Sequence, residues 1–530
     1  MANNAAAGSD DLFQRKATGL LRGWSVWDGF IYATFSINLI TLGFFSFSYA
    51  PFIPDGSLIL AIILAGLYLI FQTVTYAALI AVMPRAGGDY VWTSRILGGG
   101  IGFVLAVTGW WFILWHWVPI YGDLLNKEVF VPLAAILGLD GVAGFFSGAT
   151  GLFTACMIVA VLASAYISLG MRAYARIQKF CFYGALVGLA IMIVILLFSS
   201  QSGFVTAFNR ESQELFGAGG NAYQQTIKAG SVETGTAFLP TLLLIPFLAF
   251  FNLYSNWGAT LYGEVRGASD FRRNIYAMAG ALIFTSLFAV ILLLLFAKTF
   301  GWDFYYAANN AFWGGNAPVS AWPYPGLLAA MLLDNPILQF ILVAVMSLWF
   351  FGWCGSVFLS STRVVFATAF DRVLPEWVSR TSNNGVPYAA LLLMLIPSIP
   401  ISYLYAFTEN FVTYTLDAVL VIAITFLGSA ISAAVLPWRK PDIYNASPIA
   451  HYNILGIPLV TVSSVAFAIF LVFCLYQWLT NATYGVTYVS SLIYMLILYA
   501  IALAMYVGFR LYRRVQGINL NMVYDEIPEE

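Results

Sequence analysis

Long apolar runs separated by short charged segments dominate the pattern of this chain. Because an α-helix rises about 1.5 Å per residue, about 20 apolar residues cross the hydrocarbon core of a bilayer. Eleven charge-free stretches are long and apolar enough: 29–54, 56–84, 96–122, 141–171, 180–209, 234–263, 274–297, 335–362, 381–408, 418–438 and 443–509. Ten are expected to hold one crossing each. The last is expected to hold two, divided at the polar turn 480–485.

These twelve crossings are predicted to be helices, which makes the fold an all-α polytopic membrane protein. In lipid, every backbone N–H and C=O must find a partner within its own segment or in a closed barrel. Barrel strands would alternate apolar and polar positions, whereas the run 287–297 is apolar on every face. A further charge-free stretch, 304–333, is rich in Asn, Gly and Pro and is expected to form a loop or short surface helices.

The low content of charged residues excludes several classes of soluble protein. Of the 530 residues, 61% are hydrophobic and 9% are charged, against about 25% charged residues in an ordinary soluble domain. This excludes a soluble enzyme, a disordered protein and a nucleic-acid binder with a basic face. The formal net charge of -1 provides no long-range field that would favour an acidic partner.

The distribution of Lys and Arg predicts the orientation in the cell (plasma or inner) membrane. With a cytoplasmic N-terminus, 19 of these residues fall on the inner side and 4 on the outer side, and both termini are cytoplasmic. The N-terminus is too polar for a cleavable signal peptide. The expected segments are an N-terminal tail at 1–22, spans 1–5 at 23–200, an extracellular loop at 201–235, spans 6–10 at 236–440, spans 11–12 at 441–514 and a C-terminal tail at 515–530.

Residue patterns for catalysis or metal binding are missing from the sequence. It contains two histidines, no HExxH motif, no GxxxxGK[ST] phosphate loop and no nucleophile–base set. The four cysteines all fall within predicted spans and are expected to be buried small residues. We therefore expect no enzyme activity, no catalytic residue, no metal and no cofactor.

Spans 1 and 6 have polar centres. Thr34, Ser36 and Asn38 lie in the first, and Asn252, Ser255, Asn256 and Gly258 lie in the second. Such residues compete with or loosen the helical hydrogen bonds. Interrupted helices at matching positions of two halves indicate the site of a secondary transporter. Polar contacts between packed, unbroken helices would also explain these residues.

Four short motifs resemble a known family. The stretch 83–92, MPRAGGDYVW, resembles the PRAGGxYVW signature of the amino acid–polyamine–organocation permeases, and 363–375 resembles their Arg, Ala and Asp-Gly-x-Leu-Pro pattern. Weaker matches lie at 264–275 and at Pro387, and the resemblance covers roughly residues 20 to 510. It implies a core of ten helices in two inverted repeats of five, with helices 1 and 6 broken, plus two C-terminal helices. It also implies alternating access around a midplane site between spans 1, 3, 6, 8 and 10.

The sequence departs from that family in four places. Where span 1 of the family has Gly-Ser-Gly, this chain has Ser36-Ile37-Asn38, and the family's acidic residue in span 6 is missing. The second departure argues against a strongly basic substrate. Proton-coupled relatives often carry a lysine near Ala185, whereas the only lysine in span 5 here is Lys179, so the coupling ion stays open. Arg372 stands where the family has Gly.

Candidate substrate-binding residues surround the two expected breaks. Phe251 occupies the position of an aromatic residue that occludes the substrate in the family, and the tryptophans of 110–117 could stack on a substrate or simply pack the bundle. The full candidate set is Thr34, Ser36, Ile37, Asn38, Trp111, Phe251, Asn252, Tyr254, Ser255 and Trp353.

Four residues are candidates for ion coupling. Ser356 and Ser360 lie one helical turn apart and could form an oxygen cage with freed carbonyls of span 1, or they could be ordinary interhelical contacts. His116 could relay a proton or pack as a hydrogen-bonded histidine. Asp417, between Glu409 and Arg439, is expected two to three turns into span 10, where a carboxylate is a functional candidate by default. It could also serve as a partner for a backbone or hydroxyl group.

Charged and glycine residues of the family motifs are expected at the inner face. They could form a gate that breaks as the inner vestibule opens, or they could anchor and cap helices. These residues are Arg85, Gly87, Gly88, Glu264, Arg273, Arg363 and Asp371.

Together these observations predict a secondary transporter of amino acids or related amines in the lipid bilayer. It is expected to work by symport with H⁺ or Na⁺ or by exchange, with no nucleic-acid partner. A non-transporting receptor or channel on the same fold is the alternative.

Overall fold

Twelve long apolar helical segments cross the bundle. The computed structural model describes residues 19–408, 411, 417–525 and 527; most of the predicted N-terminal tail, the last residues of the C-terminal tail and Glu409 lie outside this range. Within it, the spans, numbered in chain order, are Val26–Phe52, Leu58–Val82, Gly99–Ile136, Ala149–Ser168, Met171–Phe198, Phe238–Glu264, Phe271–Thr299, Pro336–Phe370, Tyr388–Phe407, Ala418–Arg439, Leu459–Thr480 and Val489–Val515. The prediction of twelve helical spans is confirmed.

Spans 1, 3, 6 and 10 lie at the centre of the bundle. In their most apolar stretches 72% to 94% of the residues are buried within the protein, against 22% in span 12. The exposed apolar faces of the peripheral spans suit contact with lipid, since a helix pairs its backbone polar groups internally and can present apolar side chains to hydrocarbon. The four cysteines are buried and unpaired, as expected.

Span 3 is longer than its charge-free stretch predicts. Its helix continues past Asp123, Lys127 and Glu128 to Ile136, with π-helical turns at Val107–Phe112 and Asn126–Phe130. The charges are tolerated because Lys127 Nζ lies 2.6 Å from Asp123 Oδ2 one turn away, while Glu128 faces span 1. The helix of span 3 therefore extends beyond the charge-free stretch 96–122, which holds one crossing as expected.

Short helices connect the spans. The stretch 304–333 forms helices, as expected, but its residues pack inside rather than at the surface: Tyr223 stacks on Phe304 with 4.6 Å between ring centroids, and Phe304 is fully buried. Connecting helices lie at Asp89–Ile96, Asp140–Ser147, Gln201–Phe216, Ala222–Gly230, Trp302–Trp313, Pro325–Ala330, Glu376–Ser379, Pro441–Asn445, Ala482–Tyr484 and Leu520–Val523. Strands Asn453–Ile454 and Ile457–Pro458 pair as an antiparallel hairpin.

Loops at one end of the bundle contact each other and carry most of the described Lys and Arg residues. Trp24, at the start of span 1, pairs with Val265 after span 6. Arg95, before span 3, reaches Asp371 after span 8. We call this end the basic side and the other end the opposite side.

Candidate functional site

Span 1 is interrupted at Asn38. The helix Val26–Ile37 ends where Asn38 adopts a left-handed φ of 46°, and a π-helical segment, Leu39–Gly43, follows. Asparagine adopts this conformation more readily than most residues because its short amide bonds locally. Here Asn38 Oδ1 accepts from the backbone N–H of Thr41 at 3.1 Å, and Nδ2 donates to the carbonyl of Trp349 in span 8 at 3.3 Å.

The other predicted residues of span 1 lie in the turn before this break. Thr34 Oγ1 donates to the carbonyl of Phe30 at 2.9 Å, and Ser36 Oγ donates to that of Tyr32 at 2.8 Å. Both hydroxyls thus bond back to their own helix, a pattern that weakens and bends it. Ile37 is fully buried beside them.

Span 6 is interrupted over residues 253–256, between the helix Phe238–Asn252 and the 3₁₀ helix Trp257–Glu264. An interruption frees carbonyls that need partners inside a membrane protein. Gln72 Nε2 of span 2 donates to the carbonyl of Leu253 at 2.7 Å and to Asn256 Oδ1 at 3.0 Å. Ser255 Oγ lies 3.4 Å from Gln72 Oε1. The sequence analysis missed Gln72, which is the only amide side chain in the sequence of span 2.

The two interruptions lie side by side. A Cβ on Gly43 of span 1 would come within 3.3 Å of the Phe251 ring, and one on Gly258 within 3.1 Å of the Tyr32 ring. Phe251 also contacts Phe47 with 5.5 Å between ring centroids. Spans 1 and 6 therefore meet closely on both sides of their breaks.

Unused polar groups remain at the break in span 6. Asn252 is fully buried, and neither its Oδ1 nor its Nδ2 has a hydrogen-bond partner among the described residues. The buried hydroxyl of Tyr254 has none there either. Since buried polar groups are nearly always paired, these two side chains are candidates for binding a ligand.

Aromatic residues of spans 3 and 8 surround the break in span 6. Trp110 lies 4.5 Å from Trp257 and Trp117 lies 5.4 Å from Tyr254, measured between ring centroids. Trp353 of span 8 stacks on Tyr121. Trp110 and Trp117 belong to the aromatic cluster 110–117 that the sequence indicated, whereas no sequence pattern indicated Tyr121.

Trp111, one of the predicted substrate-binding residues, makes its described hydrogen bond away from the breaks. Its Nε1 donates to the carbonyl of Leu393 in span 9 at 3.1 Å, so it faces away from the break that Trp110 contacts.

Ser356 and Ser360 connect spans 8, 6 and 3 rather than meeting carbonyls of span 1. Ser360 Oγ donates to the carbonyl of Trp257 at 2.8 Å and lies 2.9 Å from the hydroxyl of Tyr32. Ser356 Oγ lies 2.8 Å from the hydroxyl of Tyr121. The described contacts of both hydroxyls are interhelical, the alternative that the sequence also allowed, and the carbonyl that Ser360 binds belongs to span 6.

His116 and Asp417 are not brought to the breaks by any described contact. His116 Nε2 lies 2.6 Å from the hydroxyl of Tyr494 in span 12, and Nδ1 lies 3.1 Å from the carbonyl of Phe112. Asp417 lies directly before the described helix Ala418–Arg439. Residues 412–416, which precede it, lie outside the described residues, so its expected depth of two to three turns stays a prediction. Asp417 is fully buried, and its carboxylate oxygens have no partner among the described residues.

Two buried ion pairs lie on the basic side. Two of the gate candidates, Arg363 and Glu264, pair with each other, with Arg363 Nε donating to Glu264 Oε1 at 2.6 Å. Asp371 pairs with Arg95, whose Nη2 donates to Oδ1 at 2.8 Å. The sequence analysis had not included Arg95 in the gate.

Arg273 and Arg85 lie outside the two buried ion pairs. Arg273 is 64% exposed and pairs with Asp270 at 3.1 Å. It does not join the two buried pairs, because it lies on the first, exposed turn of span 7. Arg85 is half-buried and its Nη1 donates to the carbonyl of Pro84 at 3.3 Å.

Gly87 and Gly88 bring their loop against spans 6 and 8. Both have positive φ, 97° and 39°, which favours glycine. Gly87 N–H donates to the carbonyl of Thr260 at 2.9 Å, and a Cβ there would lie 2.4 Å from that of Ala367. The motif loop therefore needs two glycines to close the basic side.

Comparison with known proteins agrees with this architecture. A family model described as amino acid permease matches residues 27–516. The chain belongs to the amino acid permease family. This confirms the resemblance to the amino acid–polyamine–organocation permeases and shows a multi-pass membrane permease. Family and fold point to a transporter rather than an enzyme.

Among solved structures, the permease is similar in fold to the crystal structure of MhsT in complex with L-phenylalanine. The TM-score is 0.54 at 16% sequence identity, over 84% of the permease and 98% of MhsT. No curated protein has a sequence that matches the permease.

Another side chain that the sequence analysis missed lies beside span 1. Thr41 Oγ1, three residues past the break, donates to Glu128 Oε2 of span 3 at 3.0 Å. Glu128 is 3% exposed. The apolar sequence that continues from Val129 to Ile136 could have indicated that the permease buries this acid within its third span.

Proposed function

We propose that the permease is a secondary transporter of amino acids or related amines that works by alternating access across the plasma membrane. The observation that carries this proposal is the adjacency of two helix interruptions, at Asn38 and at 253–256, with the unpartnered amide of Asn252 beside them. Family membership and the phenylalanine bound in the similar MhsT structure support an amino acid as the substrate.

The chemistry of the breaks suits a zwitterion. The second half of span 1 begins at Leu39, and the positive end of its dipole would favour a substrate carboxylate. Carbonyls freed at the end of the first half of span 6 would favour the ammonium group. Asn252 can both donate and accept hydrogen bonds. Because span 6 places no acidic side chain at its break, a neutral amino acid fits better than a strongly basic one.

A substrate side chain would lie against the aromatic residues of span 3. Trp117 and Tyr254 pack edge to face, with Trp110 and Trp257 next to them. Aromatic rings give a large apolar contact area and can also stack on another ring. Aromatic and large aliphatic amino acids are therefore the substrates we expect first.

Alternating access would require the basic side to open. There Trp24 N–H donates to the carbonyl of Glu264, and the pairs Arg363–Glu264 and Arg95–Asp371 are formed. These contacts join segments that are far apart in the sequence, so we expect some of them to separate when the basic side opens. The excess of Lys and Arg assigns this side to the cytoplasm.

Coupling would be to H⁺ or Na⁺, by symport, or by exchange of substrates. Asp417, His116, Ser356 and Ser360 remain the candidates from the sequence. Inward movement of one positive charge gains about 2.3 kcal/mol per 100 mV, which sustains a substrate gradient of roughly 40-fold at about 1.4 kcal/mol per decade.

Uptake by proteoliposomes tests the proposal. The purified permease is reconstituted and offered radiolabelled amino acids and amines, with and without a Na⁺ or pH gradient. Asn252→Ala should weaken substrate binding at least tenfold, while the matched control Asn453→Ala, in the exposed hairpin, should bind as the wild type does. Inertness of the wild type across the whole panel would show that the proposal is wrong.

A further inference from the structure

Most buried acids of the described chain have a cationic partner, and three do not. The paired acids are Asp28 with Lys179, Glu211 with Arg210, Glu264 with Arg363 and Asp371 with Arg95. Asp89, Glu128 and Asp417 have no Lys or Arg partner among the described residues. Glu128 is the one of these three that bonds to the interrupted span 1.

The surroundings of Glu128 favour its neutral form. Oε2 accepts a single hydrogen bond, from Thr41, and Oε1 is buried with no partner among the described residues. Lys127, next in sequence, does not neutralise it: its Nζ binds Asp123 at 2.6 Å and lies 5.2 Å from the Trp313 ring. An ionised carboxylate in such a place is costly unless it is paired and fully hydrogen-bonded.

The other titratable groups around Glu128 do not provide a cationic partner for it. The elements packed against the turn Asn126–Phe130 include the neighbouring parts of span 3, the helix Asp140–Ser147 and the first half of span 8. On span 3 itself, Asp123 and Lys127 form an ion pair with each other. The titratable and charged groups on these elements are Tyr121, Asp123, Lys127 and Asp140, with Tyr324 from the loop before span 8.

A short hydrogen-bond path joins Glu128 to the break in span 1. Thr41 Oγ1 donates to Glu128, and the N–H of the same residue donates to Asn38 Oδ1 at 3.1 Å. Asn38 in turn donates to the carbonyl of Trp349 in span 8. A change in the charge of Glu128 therefore acts on a residue that holds the conformation of the break.

We propose that Glu128 is a proton-binding site whose occupancy is linked to substrate binding at the break of span 1. The proton is held on Glu128 in the described conformation. When the second half of span 1 moves away from span 3, water reaches the carboxyl group and it ionises. Linkage is reciprocal, so a proton that stabilises the substrate-bound conformation also tightens substrate binding by the same factor.

This inference rests on the proposed function, and one readout is independent of substrate. Infrared difference spectra of the purified permease without substrate should show a protonated carboxyl band at neutral pH that Glu128→Gln removes. The matched control Asp140→Asn, which neutralises an exposed acid on the neighbouring helix, should retain the band. A spectrum of Glu128→Gln identical to that of the wild type overturns the proposal, whether or not the protein transports anything.

The pH dependence of substrate affinity tests the linkage between protonation of Glu128 and substrate binding. In the wild type, the affinity for L-phenylalanine, or for the best-bound amino acid of the uptake panel, should fall at least tenfold between pH 5.5 and pH 8.5. In Glu128→Gln it should change less than twofold and stay near the low-pH value of the wild type, because glutamine mimics the protonated acid. Equal pH dependence in the two proteins overturns the linkage. Failure of the wild type to bind any amino acid would instead count against the proposed function.

A second variant covers the case in which Glu128→Gln does not fold. Thr41→Val keeps the acid and removes its only hydrogen bond, so the carboxyl band should remain but shift in frequency. The pH dependence of binding should shrink at least threefold, because the path to Asn38 is cut. An unshifted band with unchanged pH dependence would show that the hydrogen bond between Thr41 and Glu128 has only a structural role.

Discussion

The guanidinium group of Arg363 donates two hydrogen bonds to the carboxylate of Glu264, from Nε at 2.6 Å and from Nη2 at 3.1 Å. Both side chains are at most 1% exposed. The pair joins span 8 to the end of span 6 in a bidentate geometry, the strongest form of such a contact. Its burial means that neither charge can be compensated by water if the other is removed.

Removing one partner of this pair should therefore destabilise the protein strongly. Glu264→Gln and Arg363→Met should each lower the free energy of unfolding by about 3–5 kcal/mol, because each leaves an uncompensated buried group. The double variant should lose less than the sum of the two. Thermal unfolding in detergent measures this, with Arg273→Gln as the control, since that exposed pair contributes at most about 1 kcal/mol. Additive losses in the double variant would contradict direct coupling.

The pair Arg95–Asp371 should control opening of the basic side. Arg95→Asp and Asp371→Arg should each reduce uptake at least tenfold in correctly inserted protein, because each places two like charges together in a buried site. The double variant, which restores opposite charges, should recover part of the uptake. Proteoliposome transport with matched protein amounts is the measurement. Normal uptake by both single variants would show that this pair only anchors the loops.

The sequence predicted the spans well because a helix needs about 20 mostly apolar residues to cross a bilayer, and such runs are visible in a single sequence. The features that the sequence did not predict depend on the direction in which a side chain points or on the partner with which it pairs. Asp123 and Lys127 neutralise each other inside span 3, so a charge did not end the helix. Trp110 and Trp111 are adjacent in sequence but face spans 6 and 9, which a pattern of aromatic residues cannot separate.

The candidate site was predictable only in part, for a related reason. The polar residues of spans 1 and 6 indicated both interruptions, since Asn, Ser and Gly loosen helices. The residues that satisfy the freed groups come from elsewhere in the chain: Gln72 from span 2 and Ser360 from span 8. Arg95, likewise, lies 276 residues from its partner Asp371. Such long-range pairing has no local signal in a single sequence.

Because Asn38 has a left-handed conformation, substitution by glycine and substitution by alanine should affect stability and transport differently. Asn38→Gly can keep the positive φ of 46° but loses the hydrogen bond to the N–H of Thr41. Asn38→Ala loses the same bond and adds about 1–2 kcal/mol of backbone strain. The alanine variant should therefore unfold at a lower temperature and transport less than the glycine variant. Equal behaviour would indicate that the side-chain bonds alone fix the break.

Burial raises the pKa of Asp89, the first residue of the connecting helix Asp89–Ile96 outside the spans, to about 6. Tyr76 and Ser429 each donate to its Oδ1 at 2.6 Å, while Oδ2 is buried without a partner among the described residues. Because the pKa in the folded protein lies above the ordinary value of 3.8, the stability that this group contributes is fully present below about pH 4. It is lost as the pH rises through about 6.

Asp89→Asn should remove this dependence, because asparagine keeps an acceptor for both hydroxyls and cannot ionise. Relative to the variant, the wild type should lose on the order of 3 kcal/mol of stability between pH 4 and pH 7, at about 1.4 kcal/mol per unit of pKa shift. Thermal unfolding in detergent across that range measures the difference. Asp140→Asn, at an exposed acid, should follow the wild type. A constant difference between wild type and Asp89→Asn at all pH values would show that Asp89 stays ionised in the folded protein.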